Sequence, residues 1–271
     1  MDKRYKIAFF TGLLVVAGYF FGTVCKRIDR SFELILYPSK ELLVLLLWYL
    51  LALGAILICA GLVATLLRPV RVGFFAFALS GLAMILGWGI SLFSAVLILV
   101  YLVTAYLYLG GVAKELNERI KFSVRAISEA HGLLIIGLIL LVSGSLYRGL
   151  DVYFEREGLT LPEAYIELFM QPLQKRIEEQ VPAEERQRAV AEFREEFQKS
   201  IDEFMENTLQ PYERYIPAVV TAGTFMSLLS ATHLLTWIPN IILSLIFILL
   251  KSLGVTTIMH EQQEVQRLVI S

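Results

Sequence analysis

The most regular polar pattern in this chain lies inside an apolar stretch. Thr221, Thr224, Ser227, Ser230 and His233 recur at every third position. On an α-helix each such step turns by about 300°, so the row drifts back by about 60° each time. The five residues therefore sweep around the helix along an i±3 ridge, which can cross a neighbouring helix. Two uses fit this pattern. The row could line a narrow polar path with His233 as a titratable mouth. Alternatively, each hydroxyl bonds to a carbonyl one turn earlier, and His233 rests at a membrane interface beside Trp237.

The second candidate surface is apolar. Val190, Phe193, Phe197, Ile201 and Phe204 follow one another at steps of three or four, the spacing of one helix face. Glu and Arg fill most of the positions between them. Phe193, Phe197, Ile201 and Phe204 are the residues expected to meet a partner, a second copy of the chain, or the preceding helix of the same hairpin.

Other chemistry is not visible in the sequence. No G-x-S-x-G, GxxxxGK[ST], H-E-x-x-H or G-x-G-x-x-G pattern occurs. His131, His233 and His260 are far apart, with no Cys, Asp or Glu at metal-ligand spacing, so no zinc or other cofactor is expected. Glu178-Glu179 and Glu184-Glu185 could bind a cation weakly across a turn, but they read more simply as solvated. No catalytic residue is identified, and the expectation is a protein that is not an enzyme.

The elements that must carry these surfaces follow from composition. Apolar residues make up 57% of the 271 residues and charged ones 18%, against roughly 45–50% and 25% in soluble domains. The apolar residues sit in uncharged blocks, which points to a bilayer as their solvent. The net charge of −1 is a cancellation: residues 149–215 hold 16 acids and 8 bases, while the remainder carries a surplus of seven bases. A total so balanced gives no reason to expect nucleic acid as a partner.

The blocks predict seven membrane helices. The first is 7–25, retained rather than cleaved, with Gly18 and Gly22 as a GxxxG pair that could admit a close partner helix. The second is 42–67, ending at Arg68-Pro69. The uncharged run 73–111 would make a helix of roughly 58 Å, against a hydrocarbon core of about 30 Å. It is therefore split at Gly87-Trp88-Gly89-Ile90-Ser91 into 73–87 and 91–109, with a half-inserted loop as the alternative. The fifth helix is 133–147. The sixth, 216–236, is followed by a Trp237-Ile238-Pro239-Asn240 turn and the seventh, 241–255.

Two segments lie outside the membrane in this reading. Residues 112–127 form an amphipathic connecting helix, and 149–215 form an acidic hairpin with helices from about 161–180 and 183–209. Cys25 and Cys59 lie at different depths, so no disulfide joins them. Lys/Arg counts in short loops are nine on the N-terminal side and four on the other, which with seven helices places the N-terminus inside and both 149–215 and the C-terminus outside.

The fold class is thus all-α, a polytopic membrane bundle with an extramembrane acidic helical hairpin. Its regions are 1–148, 149–215 and 216–271, and the expected location is the plasma membrane. The first functional expectation is protein–protein interaction or self-association through 149–215, with the bilayer as the other partner. The alternatives are movement of a small neutral or lipid-like solute and, third, an enzyme acting within the membrane.

Overall fold

Each uncharged run forms helix. A computed structural model describes residues 3–31, 40–118, 124–157, 186–204, 207–208 and 210–256. The helices are α1 (Lys3–Arg30), α2 (Lys40–Leu66), α3 (Val70–Trp88), α4 (Leu92–Glu118), α5 (Val124–Glu157), α6 (Arg186–Phe204), α7 (Ile216–Leu235) and α8 (Trp237–Ser252). A 3₁₀ segment, Gln210–Tyr215, precedes α7. The described residues contain no strand. Among the described residues, six helices are long and apolar enough to cross a membrane, and α8 is shorter. The outward faces of α3 and α4 carry large apolar side chains such as Leu86 (68% exposed) and Leu99 (62% exposed). In water such a face would be a heavy liability, whereas against lipid tails it is neutral.

The chain divides into two compact units. The first comprises Met1–Val24, Leu47–Leu138 and Ser230–Ser271; the second comprises Cys25–Leu46 and Ile139–Leu229.

In the first unit, α1 and α3 cross at almost backbone contact. A methyl group placed on Gly18 would lie 2.7 Å from the Ser80 carbonyl oxygen, and one on Gly22 would lie 2.9 Å from Met84 Cα. Gly87 meets the backbone of Tyr19 and Thr23 in the same way. The Ser80 hydroxyl donates to the Leu14 carbonyl at 3.1 Å, so a hydrogen bond joins the helices where they are closest. The GxxxG pair of the first block is therefore used inside the chain, against α3.

The run 73–111 is a hairpin. Gly89, at φ 130°, makes the reversal, a conformation that L side chains rarely adopt. The first turn of α4 is closed reciprocally: Ser94 N–H donates to Ser91 Oγ, and Ser91 N–H donates to Ser94 Oγ, both at 3.0 Å. This has the logic of a capping box. It explains how an uncharged turn suffices, because backbone groups that lipid cannot satisfy are bonded locally. Trp88, expected at headgroup level, is buried edge-on against Phe93.

α4 and α5 are antiparallel. Gly137 faces Thr104, and Gly111 faces Ala130. Residues 112–118 continue α4, and 124–127 open α5, so the described parts of the amphipathic segment extend two long helices. Val112 and Ile127, from its apolar stripe, are fully buried.

α8 does not reverse the path of α7. Thr236 between them is in the right-handed helical region. Pro239 is the third residue of α8, in the first turn, where a missing N–H costs no helical bond. The expected Trp237–Asn240 turn is therefore helix. Tyr49 Oη lies 3.3 Å from Thr232 Oγ1, and Gly61 packs on Leu243. Residues 232–243 thus run in the same direction as 49–61 of α2. Lys6 Nζ donates to the Val255 carbonyl at 2.7 Å, bringing the start of α1 beside the residues just after α8. Within this unit α1, α3 and α5 run one way, and α2, α4 and α8 the other.

In the second unit, α5 continues past Arg148, where the sequence suggested a stop. Arg148 lies 3.9 Å from Asp29 near the end of α1. The facing surface of α5 is a row of buried apolar residues that includes Ile139, Val142, Leu146 and Leu150. Residues 158–185, which include the expected capping box and the helix 161–180, lie outside the described residues. Cys25 and Cys59 are both free.

Candidate functional site

Helix α4 brings Tyr101 and Tyr108 onto one buried face, because seven residues are close to two helical turns. Both side chains are fully buried. Phe77 of α3 packs against the two of them, its ring centre 6.1 Å from each. On the far side, the ring of His131 from α5 stacks on Tyr108 at 5.4 Å and 21°. His131 is itself 3% exposed. The antiparallel α4–α5 pair explains this meeting, since the same register sets Gly111 against Ala130 and Thr104 against Gly137.

The polar atoms of this aromatic row are only partly satisfied. Asn240 of α8 lies within electrostatic reach of the His131 ring. Nε2 of that ring makes no hydrogen bond. The Tyr101 and Tyr108 hydroxyls also have no hydrogen-bond partner. Ser80 is close enough to act on the Tyr101 hydroxyl, but its own hydroxyl donates to Leu14 O. Tyr101 and Tyr108 lie in the uncharged run 73–111 and Asn240 in 237–250, while His131 directly precedes the run 132–147. The site therefore offers hydrogen bonds without formal charge, on elements that cross the apolar unit. Among the described residues, no group of three or more His, Cys, Asp or Glu could hold a metal ion.

The hydroxyl row of α7 is arranged differently. Thr224 Oγ1 donates to Val220 O and Ser227 Oγ to Gly223 O, each at 2.9 Å. Both bonds run to the helix's own carbonyls one turn back. Thr221 Oγ1 is a buried atom with no partner, and Ser230 is exposed. The side chain of His233 lies outside the described residues. Four of the five sequence-selected residues are thus described, and two of them, Thr224 and Ser227, bond within their own helix.

On α6, Phe193 and Phe197 stack on each other at 6.0 Å and 18°. They are half-buried, as is Ile201, while Phe204 is 55% exposed. Arg188 Nε donates to Glu192 Oε1 at 3.1 Å across one turn of the charged face. The stripe therefore keeps apolar area open at its C-terminal end, beside exposed Glu195, Glu196 and Lys199.

Sequence reasoning passed over Tyr101, Tyr108 and Asn240, and treated His131 as a helix opener. A usable signal was present. Tyr101 lies in the middle of the segment 91–109, where it is poorly placed for interface anchoring and needs a buried setting, whereas Tyr108 stands at the end of that segment. Comparison with protein-family models, curated proteins and solved structures gives no match.

Proposed function

We propose that the chain is a membrane protein that acts by interaction, presenting the acidic segment 149–215 on the side opposite both ends. The observation that carries this reading is the stacked, half-exposed Phe193–Phe197 pair on a helix whose other faces are charged. The alternation of helix directions in the first unit supports the sidedness. Six of the described helices, α1 to α5 and α7, are long and apolar enough to cross, and the residues just after α8 lie beside the start of α1. The Lys/Arg bias then assigns the two ends to the inner side of a plasma membrane and 149–215 to the outer side. The occupant of the stripe is a partner protein or a second copy of the chain.

A photo-crosslinking residue at position 197, in the full-length chain in its own membrane, tests the reading. The expected result is a discrete adduct from Phe197 and none from the charged face at Arg194. Phe204→Asp should lower the adduct yield at least tenfold, since an ionised carboxylate has no place in an apolar contact. Adducts confined to residues 158–185 of the same chain would overturn it.

A further inference from the structure

We propose that Tyr108 and His131 form a buried binding site, at the ends of the uncharged runs of α4 and α5, for a neutral molecule with a hydroxyl or carbonyl head on an apolar body. This goes beyond the interaction reading and uses none of its residues. Three observations carry it. Tyr108 Oη and His131 Nε2 are buried and make no hydrogen bond. Each belongs to a residue at least nine-tenths buried, Tyr108 at 0% and His131 at 3% exposure. Their rings are stacked face to face, with Phe77 packed edge-on against Tyr108, so the two polar edges are held in place by ring packing.

The chemistry of the ligand follows by exclusion. A buried polar group left unsatisfied costs about 1–3 kcal/mol in water-soluble proteins, and several in hydrocarbon. A purely apolar occupant would leave both atoms in that state. A charged head would need a counter-charge, and the runs that carry Tyr108 (73–111) and Asn240 (237–250) hold none. A neutral oxygen satisfies both requirements. The phenol can donate or accept, and the neutral imidazole nitrogen does one or the other according to its tautomer. The surroundings suit an apolar body, because Val112, Ile127 and Leu134 are fully buried close to these residues in sequence. Tyr101, two turns along α4, extends the same polar face deeper into the unit.

The probe is a dodecanol carrying a mid-chain diazirine, applied to the full-length protein in detergent micelles. The oxygen-free dodecane diazirine serves as its counterpart. The alcohol is expected to label α4 and α5 near positions 108 and 131 saturably, and the alkane is not. Excess 1-dodecanol and excess methyl dodecanoate form the competing arms. Competition by the alcohol alone identifies a head that both donates and accepts, whereas competition by both identifies carbonyl recognition. Tyr108→Phe keeps the ring and its stack, and should reduce the labelling at least tenfold. Tyr106→Phe, on the exposed side of the same helix, should leave it unchanged. If the hydroxyl is merely a buried orphan, Tyr108→Phe will stabilise the protein and leave labelling intact. That result overturns the proposal, as does equal labelling by alcohol and alkane.

Discussion

Replacing Gly22 with alanine is expected to destabilise the protein by about 3 kcal/mol, at the upper end of what overpacking costs. The added methyl would land on the Met84 carbonyl oxygen and lie 2.9 Å from the Met84 backbone carbons. Backbone cannot swing aside as a flexible side chain can. Relief therefore requires α1 to move away from α3. That movement would also break the Ser80–Leu14 hydrogen bond and part the contact of Gly87 with Tyr19 and Thr23. Gly12→Ala and Gly54→Ala are the comparison, because nothing lies within 4 Å of a methyl group at either position. Both should be neutral or slightly stabilising, as the helix gains a better former. Thermal unfolding of the purified variants in detergent, followed by tryptophan fluorescence, reads the difference. Equal midpoints for the Gly22 and Gly12 variants would mean that the α1–α3 crossing is not as close as described.

Gly137→Val is expected to cost a similar amount, about 3 kcal/mol, and to have a second consequence. Position 137 faces Thr104, whose Cβ would be 3.0 Å from an added methyl, with its hydroxyl closer still. Thr104 cannot rotate freely, because its hydroxyl already donates to Tyr101 O at 2.8 Å. The substitution should therefore separate α4 from α5 and unstack Tyr108 from His131, which lie about one turn from this contact on α4 and just under two on α5. Thr104→Ala in the same chain should restore much of the loss by removing the obstructing group. A double-mutant cycle on the unfolding midpoints measures this. Strict additivity of the two substitutions would show that positions 104 and 137 do not meet.

These contacts show what the sequence could reveal. Uncharged runs bounded by Arg68-Pro69 and by the Gly87–Ser91 cluster locate helices, because lipid tolerates no unsatisfied backbone and charge marks the exits. The length of 73–111 forces a reversal by the same reasoning, and Gly89 makes it. Arg148 and Pro239 mislead for a shared reason. Each was judged without its surroundings: the first has Asp29 to pair with, and the second falls where a helix needs no N–H. The candidate site was less legible still. Tyr101 and Tyr108 lie in a run defined by its lack of charge, and their significance comes from Phe77, His131 and Asn240. Those residues are tens to more than a hundred positions away, and only helix register brings them together. The hydroxyl row of α7 stood out because it is periodic, yet Thr224 and Ser227 bond within their own helix. The acidic character of 149–215 was evident from counting alone, since charge needs no register to be seen.

The central claim is that the acidic segment and the two ends of the chain occupy opposite sides of the membrane. Single cysteines test it most directly, introduced as Arg4→Cys, Glu196→Cys and Ser252→Cys in a chain carrying Cys25→Ala and Cys59→Ala. All three positions are exposed. A membrane-impermeant maleimide applied to intact cells should label Glu196→Cys, while Arg4→Cys and Ser252→Cys should react only after permeabilisation. Labelling of Ser252→Cys together with Glu196→Cys in intact cells would restore a seventh crossing and contradict the account, as would labelling of Arg4→Cys together with Glu196→Cys.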